Sequence, residues 1–205
     1  MSGGGKIIAN GTSAAPIIFT SYYDDTAHGD TNDDGANTAP TGGDWRGLIF
    51  DNDDSELSLV EVWYGGNVYE SYGALEARNQ SQLSMSDSII QYSGVSGLRL
   101  NEPVSVDISN LTISDSADFG LYSTVSGSVI TMGNVVFRDN SDGIATLSAG
   151  NTISLENLSF SGNAPVVELV GTSIASDATW PVGLESSRSE LYRLRHQEHT
   201  IPRYW

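Results

Sequence analysis

The residues best suited to bind a ligand form the acidic segment Asp30-Thr-Asn32-Asp-Asp34-Gly35. Side-chain oxygens at alternate positions of such a segment converge on one point, and the glycine permits the sharp turn that follows. Ca²⁺ is a hard ion that takes about six to eight oxygen ligands, and clustered carboxylates repel one another without a cation. We therefore predict a structural Ca²⁺ site with Asp30, Asn32 and Asp34 as ligands.

The match to a calcium-binding loop is incomplete. Its twelfth position is Thr41 in place of the bidentate Glu, and no flanking helices are expected. Further ligands would have to come from nearby carboxylates, of which Asp24, Asp25 and Asp44 are the candidates. The alternative is an acidic loop that is solvated, free of ions and held by Asx turns.

Aspartates that recur at a fixed spacing are candidates for polysaccharide cleavage. Asp115-x-x-Asp118 and Asp139-x-x-Asp142 lie 24 residues apart, and glycosidases use two carboxylates about 5–10 Å apart. Each pair precedes a glycine, where Asp commonly forms turns, so we interpret Asp115, Asp139 and Asp142 as turn residues. A lyase would use an Arg such as Arg99 as base, but the repeats supply no acidic cluster beside it, which favours a surface role for this residue.

Histidine and aromatic residues give weaker indications. His28, His196 and His199 form no recognised catalytic or metal-binding pattern. The segment from 19 to 72 is rich in aromatic residues, and Trp63 and Tyr64 are candidates for stacking on sugar rings. The alternative is that these side chains pack against the first coil.

The composition excludes several classes of protein. Of 205 residues, 26 are Asp or Glu and nine are Lys or Arg, which gives a net charge of −17. Such acidity argues against nucleic acid and anionic membranes as partners and favours cations, neutral ligands or simply solubility. The absence of cysteine excludes a disulfide scaffold. The sequence contains no run of about 18 apolar residues, so it predicts no transmembrane helix.

An internal repeat predicts the elements that hold these residues. Segments beginning at Gly73, Gly97, Gly120 and Gly143 recur every 23 or 24 residues. Their apolar and polar residues alternate with period two, which is typical of strands with one buried face. A unit this short buries its apolar side only by stacking on copies of itself, so the repeat predicts a parallel β-solenoid.

Each repeat also carries a motif of the form apolar-x-Asn/Asp-x-x-apolar. Its polar position holds Asp87, Asn110, Asn134 and Asn157. At a bend between strands such side chains satisfy backbone groups and tolerate left-handed geometry. Because successive turns lie about 4.8 Å apart, we predict a structural ladder of hydrogen-bonded amides. A row of ligand-binding polar side chains is the alternative.

These repeats resemble the right-handed parallel β-helix proteins of the pectate-lyase-like superfamily. Residues 11–21, an Asp/Asn-rich loop and then Gly43-Asp-Trp-Arg-Gly47 look like a recurring segment of large secreted bacterial β-helix proteins. We therefore predict an all-β fold, a right-handed single-stranded parallel β-helix of about seven coils with rungs of 23–24 residues. The resemblance implies an extracytoplasmic setting but no single activity, because the superfamily includes lyases, hydrolases, adhesins and inert spacers.

We predict two regions along the chain. Residues 1–184 form the β-helix with a long acidic loop at 22–44, and residues 185–205 form a tail that is either a short capping helix or disordered. The segment Met1–Lys6 lacks the apolar core of a signal peptide. We therefore expect that a leader was removed or that the chain is a fragment of a larger protein.

The predicted function is a non-catalytic structural or glycan/surface-binding module of a secreted or cell-surface bacterial protein, with a loop stabilised by Ca²⁺. Its expected partners are glycans, further β-helix segments and other copies that associate end to end or by strand edges. The alternative is a polysaccharide-degrading lyase or glycoside hydrolase.

Overall fold

Alternating apolar residues fold into short strands throughout the part of the chain that the computed structural model describes. This part comprises residues 5–52, 54–67, 69, 73–102, 104–162, 167–170 and 178–179. Its regular structure consists of 17 strands and contains no helix. All strand pairs in its two sheets are parallel. The prediction of an all-β parallel solenoid is confirmed.

The eleven-stranded sheet has a main path and four strands beside it. The main path runs through β1 (Ile8–Asn10), β4 (Asp54–Ser58), β7 (Gln82–Gln91), β9 (Ser105–Ser114), β11 (Val129–Gly133), β14 (Thr152–Glu156) and β17 (Ala178–Thr179). Beside it lie β2 (Ile17–Phe19), β5 (Val60–Trp63), β12 (Val136–Arg138) and β15 (Ser159–Ser161). The six-stranded sheet contains β3 (Leu48–Asp51), β6 (Leu75–Arg78), β8 (Leu98–Asn101), β10 (Phe119–Ser123), β13 (Gly143–Ser148) and β16 (Val167–Val170).

Each complete turn therefore has three strand segments. In the turn formed by β11, β12 and β13 the segments are separate strands, whereas β7 and β9 are long enough to supply two segments each. The described residues form about five turns, fewer than the seven that we predicted. The difference arises partly because residues 22–44 form a loop without strands and so do not contribute a turn.

The apolar residues of the alternating pattern point inward and form one continuous core. Its largest fully buried side chains are Phe50, Phe137, Leu75, Leu83, Met85, Ile90, Leu98, Leu100, Ile108, Leu111, Ile113 and Leu121. Two of the repeat glycines lie where this core reaches the backbone. A β-carbon at Gly97 would lie 2.4 Å from Ile113 Cγ2, and one at Gly120 would lie 2.5 Å from Phe137 Cδ1. Glycine is therefore required there by close packing.

The structure describes most of the predicted β-helix region but not the predicted tail. Residues 180–205, which include the predicted tail, lie outside the described residues, so the boundary near residue 184 stays a prediction. Within the described residues, no helix has the length and apolar character needed to cross a bilayer.

Candidate functional site

The acidic loop brings three carboxylates together. Oxygens of Asp25, Asp30 and Asp34 lie within 4.8 Å of one another. Two of these residues, Asp30 and Asp34, are predicted ligands, and Asp25 is one of the three additional candidates. A set of carboxylate oxygens this close fits the chemistry of a hard divalent cation.

Backbone groups of the loop fix the predicted ligands in place. The Asp30 carboxylate accepts hydrogen bonds from the N–H groups of Asp34, at 3.0 Å, and Gly35, at 2.8 Å. Gly35 has a φ of 77°, so the glycine provides the sharp turn inferred from the sequence. Asn32 accepts a bond from the Asp34 N–H and donates through Nδ2 to Asp34 Oδ2 at 2.9 Å. Its amide therefore faces Asp34, and the structure places it beside the three-carboxylate cluster.

The carboxylates of this cluster differ in their electrostatic environment. Oδ1 of Asp25 is buried and has no hydrogen-bond partner within the described part of the chain. Burial raises the pKa of Asp25, and the negative charges of Asp30, Asp34 and Asp24 raise it further. The pKa of Asp34 is lowered, chiefly by the hydrogen bond from the Thr38 hydroxyl. A cation among the three carboxylates would remove the repulsion that acts on Asp25.

Asp24 and Asp44 have other contacts. Asp24 is buried and accepts a hydrogen bond from the Thr20 hydroxyl at 2.6 Å. Asp44 accepts one from the Ser21 hydroxyl at 2.6 Å and another from the Thr41 N–H at 2.9 Å. Asp44 thus joins the end of the loop to Ser21 at its beginning, and the three-carboxylate cluster is formed without Asp24 and Asp44.

The polar position of the repeat forms a column on the surface of the eleven-stranded sheet. Asn110 donates to Asp87 at 2.9 Å, Asn134 to Asn110 at 3.0 Å and Asn157 to Asn134 at 3.2 Å. All four residues have φ between 50° and 56°, where Asn and Asp are tolerated. Each therefore makes the bend within its own turn and links that turn to the next.

A second column of left-handed residues follows one strand segment later, and we call it the corner column. It contains Tyr64, Tyr92, Asp115, Asp139 and Gly162, whose φ values are 58°, 57°, 55°, 54° and 70°. The backbone N–H of each of the first four donates to a carbonyl of the next turn, at 3.0–3.2 Å. Asp115 and Asp139, two of the candidate catalytic residues, are thus turn residues of this column.

The aromatic candidates lie at the start of the corner column. The rings of Tyr64 and Tyr92 are stacked, with centroids 4.9 Å apart and an interplanar angle of 14°. Trp63 is half-buried, and its carbonyl accepts a hydrogen bond from Trp45 Nε1 at 2.8 Å. Tyr64 therefore stacks on a residue that the sequence did not indicate, whereas Trp63 contacts Trp45 through its backbone carbonyl.

The remaining aspartate candidate, Asp142, lies away from the corner column. Its backbone N–H donates to the Asp118 carbonyl at 3.4 Å, and a hydrogen bond with the Asp118 carboxyl raises the pKa of Asp142. Ser96 Oγ donates to Asp118 Oδ2 at 3.0 Å. The structure thus separates the predicted aspartates into turn residues and one hydrogen-bonded carboxyl pair.

A family model described as the right handed beta helix region matches residues 47–179. The chain belongs to the right-handed β-helix family. A search of curated proteins and a search of solved structures each found no match. In this β-helix protein the acidic loop lies before the matched region, so the family match covers the coils and not the three-carboxylate cluster.

The β-helix also carries a buried charge that sequence reasoning missed. Arg99 lies with its Nε 3.9 Å from Glu76 Oε2 and its guanidinium 4.8 Å from the Tyr122 ring centroid. Glu76 is fully buried, and the polar groups that face its carboxylate are the Arg99 guanidinium, the Asn101 side chain and the Gly73 N–H. Burial raises the pKa of Glu76, an effect that the Arg99 charge opposes. In the register of β6 and β8, Glu76 lies opposite Arg99, one position away from the alignment of Gly73 with Gly97. Arg99 is therefore half-buried beside a carboxylate and is not the surface residue that we predicted.

A shallow polar groove lies on the outer face of the same β-helix. It has a volume of about 250 Å³ and is lined by Lys6, Asp54, Ser55, Glu56, Gln82, Leu83, Ser84, Ser105 and Asp107. Its outward residues come from β4, β7 and β9, where Glu56, Ser84 and Asp107 pair in register. Three carboxylates against one lysine make this surface unfavourable for an anionic polymer.

Proposed function

We propose that this β-helix protein is a non-catalytic structural and glycan- or surface-binding module. The observation that carries the proposal is the position of Asp115 and Asp139 in the corner column. Both have left-handed backbone conformations and donate N–H bonds to the next turn. Turn formation accounts for these residues without a catalytic role.

The proposal includes Ca²⁺ as the ion that orders the loop at 22–44. It is supported by the proximity of the carboxylates of Asp25, Asp30 and Asp34 and by the buried, unpartnered Oδ1 of Asp25. The chemistry that the ion would supply is charge neutralisation, which holds the loop against the coils. The chain's own residues would provide the carboxylate oxygens, with Asn32 beside them.

We propose a setting on the surface of a bacterial cell or in its surroundings. This rests on the resemblance of residues 11–47 to a segment of large secreted bacterial β-helix proteins. Among the described residues, β2 and β3 each pair with one other strand, which leaves their second edges available to a further coil. Glycans and further β-helix segments are therefore the proposed partners.

The second candidate function is a polysaccharide-degrading enzyme. It is favoured by the pair of Asp118 and Asp142, because a carboxyl group with a raised pKa suits a general acid. In this alternative Asp142 would protonate the leaving oxygen of the glycosidic bond. Asp115 or Asp139 would supply the second carboxylate.

Incubation with a panel of neutral and acidic polysaccharides distinguishes the two functions. The products are assayed for new reducing ends and for unsaturated sugars, and we expect neither. Cleavage that is lost in Asp142→Asn, Asp115→Asn or Asp139→Asn, and retained in the loop variant Asp33→Asn, would establish the enzyme in place of the module. All variants are checked for folding by circular dichroism.

A further inference from the structure

Two tyrosines of the corner column occupy a backbone conformation that is unfavourable for them. Tyr64 and Tyr92 have φ values of 58° and 57°, a region in which bulky residues are rare outliers. At the equivalent positions of later turns the chain places Asp115, Asp139 and Gly162, which adopt this conformation more readily. Turn formation alone therefore does not explain tyrosine at residues 64 and 92.

Burial does not explain the two tyrosines either. The side chain of Tyr92 is 39 % exposed, and its stacking partner, Tyr64, is only half-buried. A core packing role would bury both rings and offset the strain. Strained residues kept at a surface are a frequent feature of ligand sites.

The surroundings of the stacked rings are negatively charged. Burial raises the pKa of the Tyr64 phenol, and the charges of Asp24 and Asp44 raise it further. Asp115 follows Tyr92 at the next turn of the column. This field disfavours an anionic ligand, whereas carboxylates accept hydrogen bonds from hydroxyl groups.

We propose that Tyr92, supported by Tyr64, is the platform on which a neutral saccharide stacks. The apolar C–H face of a sugar ring lies on the negative face of the exposed aromatic ring, and Asp115 accepts hydrogen bonds from the sugar hydroxyls. The proposal identifies the side chains that contact the glycan and rests on the glycan-binding function proposed above. It also assigns the ligand class: neutral glycans bind, and polyuronates do not.

The test uses Tyr92→Asn in the full chain. Asn removes the ring but tolerates left-handed geometry, as Asn110 and Asn134 do elsewhere in this protein. Affinity electrophoresis through gels containing neutral polysaccharides measures binding, and thermal unfolding measures folding. We expect affinity to fall about tenfold or more, which corresponds to the loss of one stacking contact, with Tm unchanged or raised.

Two matched variants serve as controls. Tyr69→Asn removes a tyrosine that is 92 % exposed, and Asp107→Asn alters the polar groove on the outer face. Both are expected to bind as the wild type does. This result would show that the stacked platform, and not any exposed tyrosine or acidic surface, holds the glycan.

Other results separate the failure of the platform from the failure of the proposed function. If the wild type binds a neutral glycan and Tyr92→Asn binds equally well, the platform is wrong and glycan binding stands. Preferential binding of a polyuronate would also overturn the platform. If the wild type binds none of the polysaccharides, both the platform and the glycan-binding function are overturned.

Discussion

Asn134 donates a hydrogen bond from Nδ2 to Oδ1 of Asn110 at 3.0 Å, and the two residues lie at the same bend of successive turns. Asn134 also accepts a bond from Asn157 at 3.2 Å. With a φ of 56°, it stabilises the bend and joins three turns at one position. The ladder residues therefore form the bend within each coil and also link successive coils by hydrogen bonds.

Replacing Asn134 with Ala is expected to destabilise the β-helix by about 2–3 kcal/mol. Two hydrogen bonds are lost, each contributing about 1 kcal/mol, and Ala is disfavoured at positive φ by roughly 1 kcal/mol. Urea denaturation measures the change in the free energy of unfolding. Asn134→Gly, which loses the bonds but tolerates the conformation, should lie between the wild type and Ala. Equal stability of the wild type and Asn134→Ala would contradict the structural role of the ladder.

A second prediction concerns the glycine that begins a repeat. In Gly120→Ala the new methyl group would lie 2.5 Å from Phe137 Cδ1 and 3.0 Å from the Ile144 carbonyl oxygen. Overpacking of this kind costs about 1–3 kcal/mol, and we expect Tm to fall accordingly. Gly133→Ala is the control, because no atom lies within 4 Å of a β-carbon there. A similar change in both variants would show that close packing is not the reason for glycine at residue 120.

The buried Glu76 predicts a dependence of stability on pH. Its pKa in the folded state is raised, chiefly by burial. The protonated carboxyl is therefore the form that the fold favours. The stabilisation it gives is present below the pKa of Glu in the unfolded chain, about 4.3, and is lost as the pH rises through the pKa of Glu76 in the folded protein. Glu76→Gln should raise Tm relative to the wild type at pH 7.5, and this gain should vanish near pH 4.

The control for this pH dependence is Glu56→Gln, which alters an exposed carboxylate on β4. We expect it to shift Tm little at any pH, because an exposed charge stays solvated. Thermal scans of the three proteins between pH 4 and pH 8 supply the comparison. If Glu76→Gln raised Tm by the same amount at pH 4 and at pH 8, the Glu76 carboxylate would not titrate as its burial requires.

The repeat made most of the fold predictable. Glycines spaced by 23 or 24 residues and alternating apolar residues specify stacked parallel strands, because each turn must bury its inner face on the next. The positions of Asp87, Asn110, Asn134 and Asn157 follow from their own motif, which recurs every 23 or 24 residues. The glycines do not all keep this register, because Gly143 pairs with Phe119 and not with Gly120. The number of turns was overestimated since the segment 22–44, which is as long as one repeat, forms a loop.

The candidate site was only partly predictable, because its remaining features depend on contacts between distant turns. The stacking of Tyr64 on Tyr92 joins two turns that share only the short pattern Tyr-x-Gly, and this pattern does not indicate that the rings are in contact. Glu76 was missed because strand alternation places it on the outer face, where full burial is unexpected. The buried Asn140 accepts a hydrogen bond from the Ser116 N–H of the preceding turn, at 3.1 Å. That role follows from the path of the turn and has no local signature.

Ca²⁺ titration of the chelator-stripped protein by calorimetry is the most direct test of the proposed cation site in the acidic loop. We predict saturable binding of about one ion per chain and a rise in Tm as Ca²⁺ is added. Asp30→Asn should abolish both effects, because Asp30 belongs to the three-carboxylate cluster, whereas Asp33→Asn should retain them. The absence of binding heat together with an unchanged Tm in the wild type would contradict the account.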